Sequence, residues 1–304
     1  MEIKTDLIWR NWEIVKWEDA LDHNLTHSLH YWWACFEWIR FYKTDKWPKI
    51  FKLKEHIDRL FYSASVLKIE IPYTKEQIIA DTIDLVAKNN VEAWYIRHIV
   101  YSWYGKMWLN PTWANTEVVI SVWKWWKYLS DNPIRVKVAS VRRIHPSTTD
   151  MRAKISWNYA NSILVSHETK DAWFDEWLLL DTTWYIAEWP GENIFFVKWN
   201  KVFTPELGTI LPWITRATVI NLFKEEFWIE VTEKKISPQE LWGFDECFFT
   251  WTAAEVTLIW SITDESWKTY EYNTWKEWSL SKRMKNLYND VVTWENDKYL
   301  SWLY

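Results

Sequence analysis

A two-domain protein of mixed α+β or α/β class is what the sequence predicts, and three observations predict it. The chain has 304 residues, 49% of them hydrophobic, and at about 100 to 200 residues per domain that length asks for two cores rather than one. Runs of β-branched and aromatic residues recur in both halves, interleaved with segments whose apolar residues fall at i, i+3 and i+4, so each half mixes strands with helices. Between the halves lies a stretch of breakers, Ser130-Asp131-Asn132-Pro133. The expected organisation is a smaller N-terminal α/β domain over 1–126, a linker at 127–133 and a larger C-terminal domain over 134–304.

Taken in order, Leu7 to Trp9 and Glu13 to Trp17 read as paired strands, His23 to His30 as a polar loop, and Cys35 to Tyr42 as a further strand. Leu53, Ile57, Leu60, Phe61, Ala64 and Leu67 share one face of a helix from Leu53 to Leu67. Thr74 with Gln77 forms a capping box that starts a second helix, which runs to Lys88. Tyr95 to Tyr101 and Glu117 to Val122 carry the residues that fit a pleated surface. Past the linker come a strand at Arg135 to Val141 and a helix over Asn158 to Lys170. Short strands at Leu178 to Asp181, Tyr185 to Glu188, Asn193 to Lys198 and Lys201 to Phe203 suggest a meander rather than a βαβ rhythm. A helix at Ile214 to Phe227 follows Pro212, with Ile214, Ala217, Val219, Ile220, Leu222 and Phe223 as its apolar face. Strands at Ile229 to Thr232, Glu246 to Thr250 and Val256 to Trp260 and a helix from Leu280 to about Val292 close the chain.

Composition excludes several classes of function. A formal net charge of -5 leaves no basic footprint for nucleic acid. No window reaches about 18 consecutive uncharged apolar residues, and Met1 to Asp6 is polar, so a soluble, unexported protein without a membrane partner is expected. Cys35 and Cys247 are too few for a disulfide framework and lack metal-ligand spacing, which points to two buried thiols in a reducing cytoplasm and to no metal site. One count stands out: Trp occurs 30 times and Gly 4 times, where ordinary usage of about 7% would give roughly 21 glycines. Trp also takes places that turn chemistry gives to Gly, as in Asn11-Trp12 between two strands, where Asn-Gly is the usual hairpin signal.

Specific strings carry the reading further. Thr252-Ala253-Ala254-Glu255, Glu188-Trp189-Pro190-Gly191-Glu192-Asn193, Leu211-Pro212-Trp213-Ile214-Thr215-Arg216, and His30-Tyr31 followed by Phe36-Glu37-Trp38-Ile39-Arg40 together resemble the branched-chain amino acid aminotransferases of the fold-type IV pyridoxal-phosphate class, the class IV aminotransferase family. The resemblance runs from about Leu7 to Leu303, with several strings in the right order. It requires Trp to stand for Gly: the family has Gly at the positions of Trp38, Trp157, Trp189, Trp213 and Trp251, and also at those of Trp12, Trp108 and Trp126. Trp9, Trp17, Trp125 and Trp302 sit where the family itself often has Trp. The exchange runs one way, as it would if the source organism read the codon UGA as glycine.

The resemblance implies the two-domain fold-type IV fold, with pyridoxal 5'-phosphate as cofactor. It points to Lys154, in Arg152-Ala153-Lys154-Ile155-Ser156-Trp157-Asn158-Tyr159, as the catalytic amine that takes the cofactor and shuttles the α-proton, a role that only Lys fills. Glu188 matches the carboxylate that keeps the ring nitrogen protonated, and Tyr159 the tyrosine on the cofactor's phenolic oxygen. Arg59 matches the phosphate-binding arginine, joined by the backbone of Ile214 and Thr215 at a helix start and by the hydroxyl of Thr252. Tyr31, Phe36, Tyr95, Leu109, Trp125 and Tyr128 correspond to an aromatic and aliphatic pocket for a branched side chain. Arg97 matches the arginine that reads the second carboxylate of glutamate, and Ala253 supplies backbone near the α-carboxylate. His98 stands where the family commonly has Pro. The implied reaction moves an amino group between leucine, isoleucine or valine and 2-oxoglutarate, giving branched-chain 2-oxo acids and L-glutamate, in branched-chain amino acid biosynthesis. Because the family's pocket borrows Tyr31 from a neighbouring subunit, a homodimer or higher homo-oligomer is expected. The alternatives are a D-amino acid transaminase, an aminodeoxychorismate lyase, or a non-catalytic homologue.

Overall fold

A computed structural model describes residues 5–44, 47–91, 93–124, 132–171, 173–188 and 191–304, the side chains of 94 and 169–171 excepted. Trp125 and Tyr128 lie outside these residues, as does most of the expected linker. Chain contacts gather Met1–Trp126, Ala153–Trp157 and Val291–Tyr304 into one compact unit, and Lys127–Arg152 with Asn158–Asp290 into a second. The short segment around Lys154 and the last residues of the chain thus group with the N-terminal part.

In the first unit the elements are β1 (Leu7–Arg10), β2 (Glu13–Lys16), α1 (His27–Tyr31), β3 (Ala34–Tyr42), β4 (Lys49–Ile50), α2 (Leu53–Val66), α3 (Lys75–Lys88), β5 (Trp94–Ser102) and β6 (Thr116–Trp123). The strands form one antiparallel sheet in the order β2-β1-β6-β5-β3-β4. Helix α2 presents Leu53, Ile57, Leu60 and Ala64, and α3 presents Ile78 and Leu85, to a cluster that also holds Cys35, Ile39, Ile96, Val100, Val118, Ile120 and Val122. Each such aliphatic side chain taken fully out of water contributes about 1.5 to 3 kcal/mol. The capping box forms as expected: Gln77 N–H donates to Thr74 Oγ1 at 3.2 Å and Thr74 N–H to Gln77 Oε1 at 2.7 Å. The expected polar loop instead contains α1, whose five residues are too few for periodicity to reveal.

Alternation along β3 is what places the candidate chemistry. Cys35, Glu37 and Ile39 are buried on the helix side, while Phe36, Trp38 and Arg40 belong to the opposite face. Pairing with β5 sets Glu37 across from His98 and Trp38 across from Arg97. The Lys154 segment lies along the start of β3: Ser156 N–H donates to the Ala34 carbonyl at 2.9 Å, Phe36 N–H to the Lys154 carbonyl at 3.2 Å, and Cys35 bridges Ile155.

The second unit contains β7 (Ile134–Val138), α4 (Asn158–Asp171), β8 (Glu176–Leu178), β9 (Asn193–Lys198), β10 (Lys201–Pro205), α5 (Ile214–Phe227), β11 (Thr232–Lys234), β12 (Glu246–Trp251), β13 (Glu255–Thr263), β14 (Thr269–Glu271) and α6 (Leu280–Val292). Its sheet runs β11-β10-β9-β12-β13-β7-β8, with β14 beside β13. The meander expectation holds only for the β9–β10 hairpin. Strand β10 pairs parallel with β11 across α5, and β7 parallel with β8 across α4, so two βαβ units are present; strands of three residues were too short for their rhythm to be read. Tyr185 to Glu188 makes a single bridge, Leu180 to Ile186, rather than a ladder strand. On α5 the buried face includes Thr215, Arg216 and Thr218 beside Val219, Leu222 and Phe223, whereas Ala217 is exposed. Arg216 tolerates burial because its guanidinium reaches the Pro205 carbonyl at 3.1 Å and Glu233 at 2.6 Å. Both cysteines are buried and unbridged.

Among the described residues, eight tryptophans hold positive φ: Trp12, Trp32, Trp173, Trp184, Trp199, Trp228, Trp267 and Trp294, at angles from 54° to 73°. A residue with a Cβ costs roughly 1 to 2 kcal/mol in this left-handed region. Summed over eight sites, that is about 8 to 16 kcal/mol, as large as a typical net stability of about 5 to 15 kcal/mol. Trp9 differs: it is 2% exposed and meets Tyr73 edge to face at 5.5 Å between ring centres.

The core of the first unit also carries acid sensitivity. His98 is fully buried with Nε2 at 2.8 Å from Thr82 Oγ1, and burial pushes its pKa down from 6.5 to about 3, with Glu37 and His56 as lesser influences. The fold holds it neutral while the unfolded chain takes up a proton near 6.5, so its contribution is complete above about pH 6.5 and is lost as pH falls toward 3. The midpoint of thermal unfolding should therefore drop between pH 7 and pH 5. In His98→Gln, which takes up no proton there, it should drop less steeply; equal slopes would contradict this account.

Candidate active site

In the first unit, Lys154 is 1% exposed. Its position is set through its backbone, whose N–H donates to Ser63 Oγ at 2.8 Å while Ser63 Oγ donates to the Arg59 carbonyl at 2.8 Å. One turn of α2 is thereby tied to the lysine segment. The ammonium lies 4.8 Å from the centre of the Phe36 ring. Arg59 and His56 project from the same side of α2, three residues apart, and both meet Glu37. The guanidinium donates through Nε and one terminal nitrogen at 2.7 and 2.8 Å, and His56 Nδ1 is at 2.7 Å. Burial opposes ionisation of Glu37, but the charge and hydrogen bonds of Arg59, with that of His56, outweigh it and hold the carboxyl well below the usual carboxylate range. His56 is pushed down, by burial first, with Arg59 and Lys154 acting in the same sense against the pull of Glu37. The result is a dry cluster of one carboxylate, one guanidinium and one imidazole, with the buried Lys154 amine near enough for its charge to act on His56.

The opposite face of this sheet gathers aromatic rings around a cation. Arg97 Cζ lies 4.7 Å from the Phe36 ring, 4.2 Å from Trp38 and 5.5 Å from Trp123, and Trp38 meets Tyr95 edge to face at 5.9 Å. Register explains the grouping, since Trp38, Arg97 and Ser121 are cross-strand neighbours and Tyr95 pairs with Trp123. The structure thus brings Phe36, Tyr95 and Arg97 together. Tyr31 and Leu109 are not part of that cluster: they are 40% and 76% exposed. They share a surface instead, because His27 stacks near Tyr31 at 4.7 Å and its Nε2 lies 3.0 Å from the carbonyl of Trp108, the residue before Leu109.

In the second unit, Glu188 is buried among donors. Arg143 reaches it at 2.8 Å, Trp213 Nε1–H at 3.1 Å, and the Asn193 amide and Leu211 N–H at 3.3 Å. Asn193 pairs with Thr250 on β12, so the turn after β12 is anchored beside it. Thr252 and Ala253, both buried, form that turn, with Trp251 and Glu255 paired across its base. Helix α5 opens at Ile214 without a side-chain cap, so its first amide groups, those of Ile214 and buried Thr215, are suited to an anion. Tyr159 is half-buried in the first turn of α4. Glu192, also buried, has neither oxygen hydrogen-bonded among the described residues, and burial pushes its carboxyl up, toward the protonated form.

Sequence reasoning passed over Glu37, His56, Ser63, Arg143 and Asn193. The first two had a signal: a buried Arg59 requires an acceptor, and His56 lies one turn before it on the same face. Arg143 had none, since its partner is 45 positions away and only the fold brings it to Glu188.

These features have counterparts in known proteins. The sequence pattern described as amino-transferase class IV matches residues 34–262. The branched-chain-amino-acid aminotransferase of Pseudomonas aeruginosa is 35% identical over 306 aligned residues, spanning 99% of this chain and 98% of its own length. The branched-chain aminotransferase of Thermoproteus uzoniensis, solved with norvaline, superposes with a TM-score of 0.91 at 32% identity, over 99% of each chain. That of Thermobaculum terrenum, solved in its PLP form, gives 0.91 at 29% identity over 100% of this chain and 99% of its own. With a family pattern across most of its length and full-length relatives above 30% identity, this chain belongs to the class IV aminotransferase family.

Proposed function

We propose that this protein is a branched-chain aminotransferase, which moves the amino group between leucine, isoleucine or valine and 2-oxoglutarate with pyridoxal 5'-phosphate as cofactor. The observation that carries the reading is Lys154: an amine held at 1% exposure on a backbone pinned to both α2 and β3 is costly for stability and useful for covalent chemistry. The relatives named above favour the branched-chain reaction over a D-amino acid transaminase or a lyase of the same fold.

Each unit by itself carries donors of the kinds a phosphorylated pyridine aldehyde needs, and the resemblance assigns their roles. In the first unit Lys154 would hold its aldehyde carbon and Arg59 its phosphate; in the second the amides of Ile214 and Thr215 and the Thr252 hydroxyl would serve the phosphate, Glu188 the ring nitrogen and Tyr159 the phenolic oxygen. When bound, the cofactor supplies an electron sink for the negative charge that develops at the substrate's α-carbon. Lys154 Nζ, the amine that anchors the cofactor, is also the base that takes the α-proton and later returns it. Glu188, ion-paired with Arg143, holds a proton on the ring nitrogen. Glu37 turns the Arg59 fork into one orientation, and Ala253 offers backbone to the α-carboxylate. One written residue competes: the Trp213 indole N–H occupies an oxygen of Glu188.

The ring cluster of Phe36 and Tyr95 accounts for an apolar side chain, and Arg97 above it for the second carboxylate of glutamate, so that one pocket accepts both substrate types. Leu29, Tyr31, Tyr104, Met107 and Leu109 form exposed apolar surface around His27, which suits a second copy of this chain, with Tyr31 and Leu109 offered to its pocket. No helix among the described residues is long and apolar enough to cross a membrane, and two buried thiols fit a reducing cytoplasm.

Lys154→Ala should abolish transamination and the visible absorbance of bound cofactor while leaving the far-ultraviolet dichroism unchanged; an active variant would rule the assignment out. Arg97→Ala should raise the KM for 2-oxoglutarate and glutamate by about 10- to 100-fold, the worth of one charge-assisted bond, and leave that for leucine nearly untouched. Parallel losses for both substrates would make Arg97 structural.

A further inference from the structure

The positive-φ tryptophans occupy two kinds of place only. Trp12, Trp184, Trp199 and Trp267 sit in chain reversals between extended segments, and Trp32, Trp173, Trp228 and Trp294 lie one or two residues past the ends of α1, α4, α5 and α6. Trp12 follows Asn11, also at positive φ, in the two-residue turn between the paired Arg10 and Glu13. Trp199 opens the two-residue turn between Lys198 and Lys201. Trp184 and Trp267 each close a turn by donating to the carbonyls of Asp181 and Asp264, at 3.1 and 3.0 Å. Trp228 caps α5 in the left-handed conformation, its N–H returning to the Phe223 carbonyl. These are the positions where the missing Cβ of glycine is required by the backbone: hairpin turns and helix C-termini.

The packing offsets only part of the strain: Trp12 meets Tyr73 edge to face at 4.6 Å, and Arg142, Lys137 and Lys49 lie 4.0, 3.7 and 4.8 Å from the ring centres of Trp184, Trp267 and Trp294, contacts that are weak at a solvent-exposed surface. All but Trp294 are exposed, Trp228 and Trp173 at 89% and 87%, so their indoles gain little burial. A surface of aromatic rings kept for adhesion would not single out left-handed backbone. Among the described residues five other non-glycine residues share positive φ, and they are Asn, Lys or Glu, of which Asn adopts it most readily. A chain with 30 Trp and 4 Gly therefore has the wrong residue in the glycine places and, at Trp9, the right one in a core.

We propose that in the protein made by its own cells the residues at positions 12, 32, 173, 184, 199, 228, 267 and 294 are glycine, their codons being UGA, which those cells translate as glycine although another genetic code assigns it to tryptophan. The strain of left-handed backbone at these positions is independent of what the protein catalyses.

Peptide mass spectrometry of the protein purified from its source should find glycine at positions 184, 199, 228 and 267 and tryptophan at positions 9 and 302; tryptophan throughout overturns the proposal. The gene should read UGA at the first set and UGG at the second, and UGG at both would overturn it equally. Synthetic genes give a test that needs no native material: the chain with Gly at the eight positions should be more soluble and unfold at a higher temperature than the chain as written, and Trp9→Gly within it should lower the midpoint. An equal or lower midpoint for the eight-fold variant would count against the proposal, whether or not either chain binds pyridoxal phosphate.

Discussion

The pairing of Glu37 with Arg59 is the interaction on which the rest of the first unit depends. Removing a guanidinium from water costs several kcal/mol, and only a partner with good geometry and further hydrogen bonds recovers it. Glu37 supplies both nitrogens of the fork with acceptors and takes a third bond from His56. Its own carboxyl is fully buried and held ionised by those same donors. With Arg59 fixed, the turn of α2 that carries it also fixes Ser63, and through Ser63 the backbone of Lys154. The proposed amine and the proposed phosphate cation are thus parts of one network.

A single strand divides the labour. Because successive residues of β3 point to opposite faces, Glu37 serves the charged cluster beneath the helices, while Phe36 and Trp38 stand beside Arg97 in the aromatic cluster. A register slip of one residue would exchange the two sets and destroy both. The second unit repeats the logic with Glu188, whose carboxylate is surrounded by donors from Arg143, Asn193 and Leu211. The Trp213 indole is the one donor there that glycine would remove, which would leave room on that carboxylate for a ring nitrogen.

Long periodic elements were legible in the sequence: the apolar faces of α2 and α3, the capping box of Thr74 and Gln77, and the strands β3, β5 and β6 emerged near their expected bounds. What escaped was short or non-local. Helix α1 spans five residues, β8 and β11 three each, and parallel pairing across α4 and α5 leaves no trace in local periodicity. The candidate lysine and carboxylate were legible through motif strings and the candidate arginine through the family resemblance of its helix, whereas Glu37 and Arg143 became visible only once the fold placed them against Arg59 and Glu188. The tryptophan excess was visible in composition, but its meaning at individual positions came from backbone angles, which a sequence does not display.

The account rests most directly on Glu37 orienting Arg59 toward a phosphate, and one titration addresses it. The apoprotein and its Glu37→Gln variant would each be titrated with pyridoxal 5'-phosphate and with pyridoxal, which lacks the phosphate, following absorbance of the bound chromophore. The account predicts that the variant binds pyridoxal 5'-phosphate at least about 10-fold more weakly, the equivalent of about 1.4 kcal/mol, with pyridoxal binding little changed. Equal weakening of both ligands, or of neither, would contradict it.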